Sequence, residues 1–267
     1  MTGLTTGDRQ GQGSDAYAVA VISFPDHIDY VVFQPRGDLS LRTLPRIRDA
    51  VVTCLLKTGR ALIDLSSLHC GQAELLTVFP TALVRAGGWP AARLVVFGAD
   101  ATLRLMIDSA DITDLVPVAN DLTSARALLS QRPVRVEHER HLPLHHSAPA
   151  TARLSLRQTC TAWSLPEAVR DTAELVVSEL VTNAVEHAHS RSLLTLSHTG
   201  SALRIAVRDY RLTPIPRPWP LDIAAPRGRG LHLITTLTDT WAVDQHPDGK
   251  TVWALLACTP ITKQPGQ

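Results

Sequence analysis

The run Glu174-Leu-Val-Val-Ser-Glu-Leu-Val-Thr-Asn-Ala-Val-Glu-His-Ala188 constrains this chain more than any other stretch. Its apolar residues recur with helical spacing, and Val169, Ala173, Val176, Leu180 and Ala184 form one stripe that must face a core. Glu179 and Asn183 lie to one side of that stripe, four residues apart and so one above the other on a helix face. A carboxylate can take a proton, and an amide oxygen can hold a hard cation such as Mg²⁺. The same pair would also suit a solvated face of an amphipathic helix, and spacing alone leaves both readings open.

A length of 267 residues suits two domains of about 130 residues each. Apolar residues make up 45% of the chain, enough to fill two cores. The net charge of +1 gives no global attraction to nucleic acid or to an anionic membrane. Cys54, Cys70, Cys160 and Cys258 show neither CxxC nor Cys/His ligand spacing and read as reduced, mostly buried thiols. Residues 1–17 are rich in Gly, Thr, Ser and Gln without an apolar run, which predicts a disordered tail rather than a signal peptide. No window approaches the roughly 20 apolar residues of a membrane span. The expectation is a soluble, cytoplasmic protein.

The two halves read differently. Over 18–132, the apolar runs Tyr30-Val-Val-Phe33, Ala61-Leu-Ile-Asp64 and Arg93-Leu-Val-Val-Phe-Gly98 alternate with helical patterns such as 44–57. Strand–helix alternation predicts an α/β domain with a parallel or mixed sheet. A break follows near Gln131-Arg-Pro133 and the His/Pro-rich stretch 141–149. Over 133–260, Ser147 and Pro149 open a helix through Trp163, and Ser164-Leu-Pro-Glu167 has the form of a capping box for the next. Strands are expected near 193–197, 203–209 and 240–244, the last forming a hairpin with 251–258 through Pro247-Asp-Gly249. A helix over 230–237 completes an α+β sandwich with helices on one face of a mixed sheet.

Three further features accompany the Glu179/Asn183 helix. Asp209 falls where the strand Leu203-Arg-Ile-Ala-Val-Arg-Asp209 ends, as a turn former or as an acceptor for an exocyclic amine. Prolines at 214, 216, 218, 220 and 226 exclude a central strand or helix and describe a long excursion into Gly228-Arg-Gly-Leu231. Glycines ahead of a helix N-terminus allow backbone to approach a phosphate, although a lone GxG is often only a helix start. Gly249-Lys-Thr251 lies on the final hairpin.

The order of these features resembles the GHKL (Bergerat-fold) ATPase superfamily. Within it, Ser178-Glu-Leu-Val-Thr-Asn-Ala-Val-Glu-His-Ala188 is similar to the anti-sigma factor serine/threonine kinases of actinomycete type. The resemblance implies ATP and Mg²⁺ as ligands, Glu179 as general base and Asn183 as the Mg²⁺ ligand. It implies Asp209 as the adenine acceptor, with Thr251 supporting that contact. Gly228, Arg229, Gly230 and Leu231 would form the phosphate-side lid. One departure stands out: the family places Gly two residues after the adenine Asp, and Arg211 occupies that position here. A long side chain there is expected to narrow the adenine pocket or weaken ATP affinity.

In the first half, Arg36-Gly-Asp-Leu39, Ala61-Leu-Ile-Asp-Leu-Ser-Ser67 and Arg93-Leu-Val-Val-Phe97 resemble a STAS domain, the fold of anti-sigma factor antagonists. That family carries a phosphorylated Ser at a helix N-terminus, where the helix dipole favours phosphate. Here the matching stretch is Gln72-Ala-Glu-Leu75, so Ala73 replaces the acceptor, and no Ser or Thr lies between Ser67 and Thr77. The expected substrate is therefore Ser or Thr on a separate STAS-type antagonist. A sigma factor and a second copy of the chain are further partners that the resemblance implies.

Overall fold

The computed structural model describes residues 5–6, 17–24, 27–188, 190–211 and 229–258. The chain divides into two compact units, Met1–Val136 and Glu137–Gln267.

The first unit comprises β1 (Thr5–Thr6), β2 (Tyr17–Phe24), β3 (His27–Pro35), β4 (Gly37–Leu39), α1 (Leu44–Thr58), β5 (Arg60–Asp64) and β6 (Leu68–Cys70). A short 3₁₀ turn over Ala73–Thr77 then runs into α2 (Val78–Arg85), followed by β7 (Arg93–Phe97), α3 (Ala101–Ser109), β8 (Val118–Ala119) and α4 (Leu122–Leu129). Its main sheet has the order β1-β2-β3-β5-β7-β8. The β2/β3 pair is antiparallel, and β3/β5, β5/β7 and β7/β8 are parallel. Within the stretch expected to be a disordered tail, Thr5 and Thr6 pair with Val21 and Ala20.

Both faces of this sheet are covered, which is why its strands read as continuous apolar runs. Val31, Phe33, Ala61, Ile63, Leu94 and Val96 pack with Val51, Leu55, Leu76 and Phe79 of the helical layer. The alternate residues Tyr30, Leu62, Val95 and Phe97 pack instead with Ala125 and Leu129 of α4. Helix α1 ends at Gly59, whose positive φ of 69° lets its N–H reach the Leu55 carbonyl at 2.7 Å.

The second unit contains β9 (Val136–Leu142), α5 (Ala148–Ala162), α6 (Glu167–Ala188), β10 (Ser192–His198), β11 (Ala202–Asp209), α7 (Arg229–Leu237), β12 (Thr240–His246) and β13 (Gly249–Ala257). The sheet order is β12-β13-β11-β10-β9, and the β10/β11, β11/β13 and β12/β13 pairs are antiparallel. Strand β9 occupies part of the His/Pro-rich stretch that the sequence presents as a break. Its Val-Glu-His-Glu-Arg-His-Leu composition buries only Val136 and Leu142, as suits an edge strand.

Helix α6 is the keystone of this unit. It buries Ala173, Val176, Val177, Leu180, Val181 and Ala184, while β10, β11 and β13 bury Leu194, Leu196, Leu203, Ile205, Val207 and Ala254. Helix α5 is joined to α6 by two side-chain links: Arg157 forks onto Glu174 at 2.5 and 2.6 Å, and Arg153 donates to Ser178 Oγ at 3.1 Å. That fork holds the Glu174 carboxyl below its ordinary range.

The capping box expected at Ser164 is not formed. Ser164 has φ 57°, its N–H bonds the Thr161 carbonyl, and the Leu165 N–H bonds the Cys160 carbonyl. Those two bonds close the C-terminus of α5 in a Schellman arrangement. Helix α6 begins at Glu167, so Ser164 lies too early to cap it.

Candidate functional site

Glu179 and Asn183 project from α6 beside its buried stripe, and both are half-buried. The first turn of α7 lies directly against them. A Cβ built on Gly230 would stand 2.5 Å from Glu179 Oε2 and 3.8 Å from the Asn183 amide nitrogen. Two helices thus bring a carboxylate, an amide and a side-chain-free backbone position to one place. This arrangement suits a group that needs a base, a neutral oxygen ligand and close backbone approach.

The second cluster sits at the end of β11. Asp209 is 2% exposed, on the sheet face shared by Val207, Ile205 and Leu203. Its Oδ2 receives Lys250 Nζ at 2.7 Å, and its Oδ1 accepts the Arg211 backbone N–H at 3.4 Å. Next to it the Tyr210 N–H donates to Ser190 Oγ at 3.0 Å. Gly249 is held against the Asp209 carbonyl so closely that no Cβ fits there, and its φ of 155° also calls for glycine.

The strand register separates two neighbours that the sequence placed together. Asp209 is directly opposite Lys250, whereas Thr251 is opposite Arg208 on one side and Asp244 on the other. Successive side chains alternate across a sheet, so Thr251 lies on the face away from Asp209. Its hydroxyl bonds His246 Nε2 at 3.0 Å. The expected Asp209/Thr251 pair is therefore not brought together, and Lys250 is the residue beside Asp209. Period-2 alternation puts Lys250 and Thr251 on opposite faces, and the ladder register decides which of them Asp209 meets.

Arg211 is exposed and meets Asp209 through its backbone amide rather than its long side chain. Gly228 and the proline-rich stretch 212–227 lie outside the described residues. Arg229 and Leu231 belong to the first turn of α7, but their side chains are outside the described set.

Among the described residues no group of three or more His, Cys, Asp or Glu could hold a metal ion. A Mg²⁺ ion here would depend on phosphate oxygens together with Asn183, the mode Mg²⁺ favours with nucleotides. All four cysteines are free thiols. Burial, reinforced by neighbouring Cys258, pushes the Cys160 thiol up to about 12, so it is inert rather than nucleophilic. No helix among the described residues is long and apolar enough to cross a membrane.

In the first unit, Ala73 opens the 3₁₀ turn that leads into α2, with extended Gln72 ahead of it. Ser66 lies earlier, after β5, where its Oγ accepts from Gln34 Nε2 at 3.1 Å and its N–H donates to Asp64.

Residues 143–256 match the histidine kinase-like ATPase domain family. The second unit carries such an ATPase domain. The match spans α5, α6, α7, β10 to β12 and all but the last residue of β13, and so includes Glu179, Asn183, Asp209, Gly230 and Lys250. A search among curated proteins finds no match. Similar solved structures include an anti-sigma factor antagonist from Mycobacterium paratuberculosis, 16% identical over 45% of this chain and 98% of that one, with a TM-score of 0.37. The RsbU and RsbW domains of a Mycobacterium tuberculosis protein are 19% identical over 46% of this chain, with a TM-score of 0.35. This chain covers only 33% of that one. A Shewanella loihica protein with a SpoIIAA-like fold is 15% identical over 45% of this chain and 99% of its own, with a TM-score of 0.32.

Proposed function

We propose that the ATPase domain binds Mg-ATP and transfers the γ-phosphoryl to a Ser or Thr of a separate STAS-type anti-sigma factor antagonist, thereby controlling a sigma factor. The observation that carries this reading is the convergence of Glu179, Asn183 and Gly230 where α7 meets α6. Phosphoryl transfer asks little covalent chemistry of a protein and depends on positioning and charge neutralisation. Glu179 would accept the proton of the attacking hydroxyl as its oxygen bonds to the γ-phosphorus. The bond to the bridging oxygen breaks, and ADP leaves. Asn183 would ligate Mg²⁺ through its amide oxygen, Gly230 would lie against the phosphates, and Asp209 would accept the adenine amine.

The partner class is supported by the sequence resemblance, and Ala73 at the opening of the 3₁₀ turn favours an acceptor outside this chain. The first unit would then serve as a docking or autoregulatory module. Incubation with labelled Mg-ATP and candidate STAS proteins tests the reading. Asn183→Ala should abolish Mg-ATP binding, whereas Glu179→Ala should still bind but not transfer. If both variants label a STAS protein as fast as wild type does, the assignment is wrong.

A second reading, a nucleotide-sensing module with weak or no turnover, is favoured by one observation. The carboxylate assigned to adenine is already ion-paired with Lys250.

A further inference from the structure

Asp209 and Lys250 face each other across the β11/β13 ladder, on the side of the sheet where α6 packs. Their ion pair is short, at 2.7 Å, and is withdrawn from water: 3% of the Asp209 side chain and 13% of the Lys250 side chain remain accessible. The geometry around Asp209 fixes the pair further. Gly249 presses the β13 backbone against the Asp209 carbonyl, so Lys250, the next residue, emerges beside the carboxylate. The Arg211 N–H takes the other carboxylate oxygen.

We propose that Lys250 determines base specificity in the nucleotide site: its ammonium occupies Asp209 when no nucleotide is bound, and a purine amine must compete with it. This rests on the reading that the domain binds a purine nucleoside triphosphate with its base at Asp209. An amine N–H on a carboxylate is charge-assisted from one side only, whereas the ammonium–carboxylate bond is assisted from both. Separating the pair also leaves a poorly hydrated ammonium without its counter-ion. The base therefore adds little to affinity in the wild-type chain, and the triphosphate supplies most of it. Discrimination between adenine and guanine is correspondingly small.

Titration calorimetry on the full chain with Mg-ATP, Mg-GTP and base-free Mg-tripolyphosphate tests this. Lys250→Met removes the charge and keeps the apolar stem, and Lys250→Thr provides a second variant should the first fold poorly. Both should bind ATP at least about tenfold tighter, the worth of one charge-assisted hydrogen bond, while tripolyphosphate binding stays unchanged. The ratio of ATP to GTP affinity should rise by a similar factor, and adding Asp209→Asn should cancel the gain. Weaker ATP binding in both variants would overturn the proposal by making Lys250 a base donor. An equal shift for ATP and tripolyphosphate would overturn it by making Lys250 a general electrostatic residue. If neither wild type nor any variant binds ATP while all melt cooperatively, the nucleotide reading itself fails and this inference falls with it.

Discussion

A methyl group on Gly230 would sit 2.5 Å from Glu179 Oε2, so Glu179 must move to admit it. The atom it would meet is the far end of a flexible side chain, so Glu179 can swing aside at small cost. Gly230→Ala is therefore expected to change stability by about 1 kcal/mol or less. Phosphoryl transfer should fall at least about tenfold, since displacing a catalytic group by 1 Å can cost 100-fold. Parallel melting and transfer assays check this, and equal losses in both would mean that Gly230 is only structural. That Glu179 and Asn183 share a helix face was legible in sequence, because a helix keeps residues four apart on one side whatever packs around it. Lys250 was not legible in the same way. Strand neighbours alternate faces, and a register slip of one residue exchanges Lys250 for Thr251 beside Asp209. Only the Asp209–Lys250 pairing across the ladder settles which one it is.

Helix α6 buries six apolar residues against the second unit's sheet, and its side-chain links to α5 hold it there. Leu180 is fully buried among the residues that pack α6 onto the sheet. Leu180→Ala should cost about 2–5 kcal/mol in denaturant unfolding, and a loss under 1 kcal/mol would contradict this account of the core. The Arg157–Glu174 fork gives a pH signature instead. Arg157 lowers the folded pKa of Glu174, so the fork's contribution is present above the ordinary carboxylate range. It is lost as pH falls through the lower, folded value. The melting difference between wild type and Glu174→Gln should therefore be full at pH 7 and vanish in acid, and a difference that grows in acid would contradict it. At this scale helices α1, α5, α6 and α7 and the final hairpin were legible from periodicity and turn residues. Two features were not. Ser164 matched a start signal locally, but tertiary closure of α5 claimed it with φ 57°. The charged composition of β9 hid a strand that gains its place only by pairing at the sheet edge.

Over the whole chain, the residues proposed for the chemistry all lie in the second of the two units. The ATPase domain holds Glu179, Asn183, Gly230 and Asp209, while the first unit presents Ala73 at the turn into α2. The proposed role therefore expects the chain to label another protein and not its own first unit. Peptide mass spectrometry after incubation with Mg-ATP should find no phosphate between residues 66 and 77. Phosphate at Ser66, Ser67 or Thr77 would instead make the first unit a substrate. The α/β class and the two-part organisation were readable from strand–helix alternation followed by the change of pattern after residue 132. The ladder order within each sheet was not, because it depends on contacts between distant segments. The central claim is that Glu179 activates a hydroxyl for attack on Mg-ATP. Single-turnover transfer of labelled γ-phosphate to a STAS antagonist tests it most directly, with wild type and Glu179→Ala compared at saturating ATP. Label should pass to the antagonist with wild type and not with Glu179→Ala, although both bind nucleotide; equal transfer by the two, or none by wild type, would contradict the claim.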